Sequence, residues 1–137
     1  NFSEHRDGML YTPEMSRRAR ITELWAALKY LGRQGIDELV FGLHQRAAQF
    51  AQELASADFK VLNEVVFNQV LVGFDWPDAT TADFIDQLQK SGECWVGGTK
   101  WANKSVVRIS VCSWATTAED VSRSVAAFVD ARERVTL

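Results

Sequence analysis

Arg108 is the side chain whose placement most invites chemistry. In the run SVVRISVCS, Val107, Ile109 and Val111 fall on one side of an extended chain, while Val106, Arg108, Ser110 and Cys112 fall on the other. The apolar side must meet a core. A guanidinium in the middle of the opposite side is costly to bury unpaired, so that side either faces water or holds an anion, for which the planar fork of arginine is the preferred bidentate partner. By pattern alone, water is the better reading. A second basic group, Arg17, Arg18 and Arg20, reads as a solvated or locally paired helix face, with a phosphate or carboxylate contact as the alternative.

The other reactive residue types do not assemble into a site of their own. The two histidines, His5 and His44, are too few and too far apart in sequence for a metal cluster. Neither a nucleophile motif of the G-x-S-x-G kind nor a phosphate-cradling glycine loop occurs. Cys94 and Cys112 cannot make a disulfide framework or a four-cysteine zinc site, and they read as small core residues in a reducing compartment. Gly97 and Gly98 sit in a strand-like run, where a bulge or a close backbone approach is expected and a backbone skirting a ligand is the alternative.

The elements that must position these residues follow from periodicity and capping. Ser16 is placed to cap a helix running to about Leu31, with Ile21, Trp25 and Leu28 on one face; a start at Thr12, with Pro13 in the first turn, is the alternative. After a break at Gly32 to Gly35, Ile36, Leu39, Val40, Leu43, Ala47, Phe50 and Leu54 repeat at helical spacing to about Ala57. The stretch KVLNEVVFNQVLVGF predicts two short strands. Trp76, Pro77 and Asp78 then break the pattern, and Thr81 or Thr80 caps a helix that carries Phe84, Ile85 and Leu88 to Gly92. CWVGGTKW and SVVRISVCSW predict an antiparallel hairpin turning at Ala102, Asn103 and Lys104. A last helix opens at Thr116 or Thr117, with Glu119 and Asp120 in its first turn and Val121, Val125, Phe128 and Val129 facing inward. The order ααββαββα predicts an α+β domain with a largely antiparallel four-stranded sheet covered by helices on one face.

Composition bounds the function. A net charge of −3 argues against binding nucleic acid through the overall field. No stretch approaches the roughly 20 continuous apolar residues of a membrane span, and no secretory signal pattern opens the chain, so a cytoplasmic protein without a membrane partner is expected. The polar opening NFSEHRDGMLYTPEM, starting at Asn1, reads as an extended leader over residues 1–15 of a longer chain, with one domain over 16–137.

The segments SRRAR leading to Trp25, VLNEVVFNQVLVGF, GECWVGGTKW and VVRISVCSWATT resemble the C-terminal region of the pyridoxal-phosphate-dependent group II decarboxylases, the aromatic-amino-acid and glutamate type. The resemblance covers most of Leu10 to Val129. It implies the small C-terminal domain of a fold-type I pyridoxal-phosphate enzyme, a carboxy-lyase fragment inactive by itself. Its partners would be a large cofactor-binding domain of the same chain, a second subunit in a homodimer, and an amino-acid substrate. In that family a lysine following a histidine carries the cofactor. None of Lys29, Lys60, Lys90, Lys100 and Lys104 follows a histidine, so that lysine does not map here. Two roles do carry over as implications: Arg108 matches the arginine that holds a substrate carboxylate, which turns its strand face toward a cleft, and Ser16 matches a position near the cofactor phosphate of the neighbouring subunit. No catalytic residue and no metal ligand is implied within this chain. The alternatives are the same domain from an aminotransferase or another lyase, and a free-standing α+β ligand-binding module.

Overall fold

A computed structural model describes Tyr11 and residues 18–136 of the 137-residue chain. Ser16, Arg17 and His5, and the expected boundary between residues 15 and 16, lie outside the described residues. The chain divides into two units, Asn1–Ile36 and Asp37–Leu137.

Helix α1, Ile21–Ser56, begins in the first unit and is interrupted at one residue, Gly32, whose φ of 63° and ψ of −173° suit only glycine. Two helices with a break were expected here; the break is this single residue. In the first unit Arg18 pairs with Glu23. Ile21, Trp25 and Leu28, expected to bury a common face, are instead all exposed, at 66%, 60% and 47%.

In the second unit the remainder of α1 buries Ala47, Phe50 and Leu54. It ends where Asp58 turns left-handed at φ 61° and the Phe59 N–H reaches back to the Leu54 carbonyl. Arg132 completes that end by donating to the Ala57 carbonyl, with its guanidinium 4.4 Å from the centre of the Phe59 ring. Strands β1 (Lys60–Val61), β2 (Gln69–Gly73), β3 (Gly97–Trp101) and β4 (Lys104–Ser110) form one antiparallel sheet in the order β1-β2-β4-β3. The first predicted strand is cut short because the Asn63 side chain takes the place of ladder partners: its Oδ1 accepts the Leu71 N–H at 2.7 Å and its Nδ2 donates to the Gln69 carbonyl.

Helix α2 (Asp78–Ser91) follows Pro77, which holds the extended conformation of a cap, and stops at the left-handed Gly92. Thr81, expected as a cap, is buried within α2 and accepts a hydrogen bond from Trp76 Nε1. Helix α3 (Ala118–Thr136) has a reciprocal cap: the Thr117 N–H donates to Asp120 Oδ2 at 2.8 Å, and the Asp120 N–H donates to Thr117 Oγ1 at 3.2 Å. Phe50, Leu54, Val70, Val72, Phe84, Leu88, Val107, Ile109, Val121 and Phe128, from the helices and from one face of the sheet, share one buried cluster.

The α3 cap carries a prediction. Thr117→Ala removes one arm and is expected to cost about 1 kcal/mol, read as a lower urea midpoint. The cap is also acid-sensitive, because the Thr117 N–H, and then its hydroxyl, hold the Asp120 carboxyl below its ordinary value of 3.8. The folded state therefore binds this proton less readily than the unfolded chain. The cap's contribution is complete above the ordinary carboxylate value and fades as pH falls through the depressed one. Asp120→Asn should flatten that acid limb in urea midpoints measured against pH; an unchanged limb would assign it to other carboxylates.

Candidate functional site

The register of β4 decides what surrounds Arg108. The two-residue turn at Ala102 and Asn103, both at positive φ, sets Gly97 of β3 opposite Arg108, while β2 sets Leu71 opposite it on the other side. Alternation along β4 buries Val107 and Ile109 in the core cluster and leaves Arg108 and Ser110 exposed on the other face. Val106, on the Arg108 face, is buried and shares a shallow hollow with Leu62, Gly73 and Trp101.

Arg108 makes no ion pair or hydrogen bond with any described residue; the carboxylates that do pair with cations take Arg18, Lys60, Lys90 and Arg123. By register, Lys60 and Lys104 share its face, and Lys60 has only a 3.8 Å contact to Asp75. The face is therefore cationic, with one unengaged guanidinium at its centre. Such a surface can hold a carboxylate or phosphate through a bidentate contact. These two lysines were not singled out in the sequence: Lys104 shares the Arg108 face by alternation along β4, whereas Lys60 is placed on that face only by the pairing of β1 with β2 and of β2 with β4.

Gly97 and Gly98 show close approach without a bulge. The pairing runs unbroken through both, and a Cβ built on Gly98 would lie 3.1 Å from Ile85 Cδ1 of α2. Of the two cysteines only Cys112 departs from the core reading, since Cys94 packs against the core cluster. Cys112, beyond the end of β4, is exposed, and Cys94 is half-buried, where burial pushes its thiol pKa up and makes it a poor nucleophile. The strand-like run that placed Cys112 in a strand stops at Ser110.

The described residues do not build a pyridoxal-phosphate site. A lysine that forms a Schiff base works from a desolvated pocket, whereas all five lysines are exposed, and Lys60 and Lys90 face Asp75 and Asp86. His44 Nδ1 lies 3.0 Å from the Phe67 carbonyl, which can only accept, so its proton is committed to the fold. Asp78 accepts the Ser105 N–H, which lowers its pKa, and serves to dock α2 on β4. Among the described residues no group of three or more His, Cys, Asp or Glu side chains could hold a metal, and no helix is long and apolar enough to cross a membrane. Tyr11 is exposed.

No family model matches the chain, and no curated protein matches it in sequence. Solved structures do. An Oryza sativa TDC with PLP and tryptamine superposes with a TM-score of 0.77 at 19% identity, covering 86% of this chain and 27% of its own. Catharanthus roseus tryptophan decarboxylase in complex with L-tryptophan gives 0.74 at 18% identity, over 87% and 26%. The chain shares their fold. Rhodiola rosea 4-hydroxyphenylacetaldehyde synthase gives 0.75 at 18% identity, over 87% of this chain and 27% of that one. The chain thus spans about a quarter of the length of the solved structures it matches, and the shared part occurs both in a structure named a decarboxylase and in one named an aldehyde synthase.

Proposed function

We propose that residues 16–137 are the small C-terminal domain of a pyridoxal-phosphate-dependent amino-acid decarboxylase, preceded at 1–15 by an interdomain segment. Arg108 holds a substrate carboxylate. Ser16 approaches the cofactor phosphate of a second subunit, and a large domain of the same cytoplasmic chain supplies the cofactor lysine. The observation that carries this reading is the unengaged guanidinium at the centre of a cationic sheet face, on a fold shared with tryptophan decarboxylase. The domain contributes an anchor and contacts, and the reactive groups lie elsewhere, in keeping with five exposed lysines.

The fold shared with an aldehyde synthase favours a second reading, the same domain serving another reaction on the same cofactor. An assay separates the two. The protein carrying this chain together with its large domain, supplied with pyridoxal phosphate and candidate amino acids, is expected to release carbon dioxide and leave an amine. Amino transfer without carbon dioxide rejects the decarboxylase reading, and an aldehyde product in place of the amine selects the second. The 137-residue chain alone is expected to give no Schiff-base absorbance on adding pyridoxal phosphate. A borohydride-stable lysine adduct at one site would contradict that.

A further inference from the structure

We propose that Gly97 is a positioning residue for Arg108: its missing side chain lets the guanidinium lie across β3 and so fixes where a carboxylate is held. The inference rests on the reading of Arg108 as a substrate anchor and deepens it. Arg108 has two cross-strand neighbours on its own face. Leu71 on β2 presents a half-buried side chain, and Gly97 on β3 presents none. Directly opposed side chains in an antiparallel pair stand about 5 Å apart at their Cβ atoms, so each limits where the other can lean. With Leu71 filling one side, the long arginine stem leans to the vacant one. A Cβ built on Gly97 would stand 3.8 Å from Arg108 Nη2, which places the guanidinium over the glycine backbone.

The topology adds direction. β3 pairs only with β4 and is the last strand of the sheet, so among the strands nothing lies beyond Gly97 to close off the guanidinium. An anion can reach it from the sheet edge. At 3.8 Å a methyl group makes an ordinary contact, whereas a longer branched side chain occupies the space of the guanidinium itself. The dependence on size at position 97 should therefore be graded.

The test uses the active protein that carries this chain. Gly97→Ala is expected to keep KM within about twofold of wild type, and Gly97→Leu to raise KM about tenfold with kcat within about threefold, the pattern of lost binding common to ground and transition states. In an Arg108→Gln background, Gly97→Leu should add no further increase, because the two residues act through one contact. In the unsubstituted chain, nuclear Overhauser contacts between the Gly97 α-protons and the Arg108 side chain are expected, and this measurement needs no variant to fold. If Arg108→Gln raises KM but Gly97→Leu does not, or if the two effects add, the positioning role is overturned and the anchor stands. If Arg108→Gln leaves KM unchanged, anchor and positioning role fall together. Absence of the Gly97–Arg108 contacts overturns the positioning role by itself.

Discussion

Phe84→Ala is expected to lower the free energy of unfolding by about 3–5 kcal/mol, as for other fully buried aromatic residues truncated in a packed core. Phe84 has no exposed surface and stands at the centre of an aromatic cluster, with ring centroids 5.0 Å from Phe74, 5.5 Å from Phe128, 5.8 Å from Trp76 and 6.3 Å from Phe59. Those rings come from four different parts of the second unit: the residue before β1, the residue after β2, the loop leading into α2, and α3. They cannot all close on the space vacated, so a cavity remains and adds to the lost transfer energy. A loss of this size is a large share of the roughly 5–15 kcal/mol that a domain commonly has. The contrasting variant is Trp25→Ala, a larger truncation at a residue 60% exposed, expected to change stability by no more than about 0.5 kcal/mol. Urea unfolding followed by circular dichroism checks both. A loss under about 1 kcal/mol for Phe84→Ala would mean that the aromatic cluster is not packed as described.

This contrast marks where the sequence was a good guide to the fold. Phe84, Leu88, Val121, Val125 and Phe128 were legible as core because helical spacing coincides with a terminal signal, the Thr117 cap at α3 and, at α2, Gly92, which ends the helix in the left-handed conformation that favours glycine. Ile21, Trp25 and Leu28 have the same spacing and yet lie open to solvent. Periodicity states which residues share a face; whether that face is covered depends on a partner element, which local pattern does not encode. The start of α2 was misplaced for a related reason. Thr80 and Thr81 have good capping chemistry, but Pro77 already takes the extended φ and ψ of a cap at the helix entrance, and Thr81 is drawn inward to meet the indole N–H of Trp76. Cys112 was lost at a strand end, where side-chain alternation continues past the last ladder pair and gives no sign that pairing has stopped.

The candidate site was legible in one dimension only. Alternation along β4 separated Arg108 from Val107 and Ile109 without knowledge of any neighbour. What lies beside it, Gly97 on one side and Leu71 on the other, depends on the pairing register. The register with β3 turns on whether the hairpin loop holds two residues or three. Ala102 was the obstacle: a non-glycine residue at φ 48° is uncommon, so the tight turn was not the obvious choice.

Arg108→Ala, in the protein that carries this chain, is expected to lower kcat/KM by about tenfold to 150-fold, the equivalent of about 1.5–3 kcal/mol for a charge-assisted contact. Its effect on stability should be within about 0.5 kcal/mol, because the side chain is exposed and no described residue pairs with it. That separation of function from folding is what makes the variant informative. Arg123, by comparison, is held by Glu93 at 2.8 Å and by Asp120 at 3.6 Å, so removing it disturbs contacts within the fold while leaving the Arg108 face untouched. Arg108→Lys should fall between wild type and Arg108→Ala, since an ammonium keeps the charge but not the two parallel N–H donors. The loss should also shrink at high salt for the wild type relative to Arg108→Ala, because an accessible charge is screened over about 10 Å at 0.1 M salt. Unchanged kcat/KM in Arg108→Ala would remove the anchor. A lysine variant as impaired as the alanine one would show that geometry outweighs charge at this position, and a lysine variant as active as wild type would show the reverse.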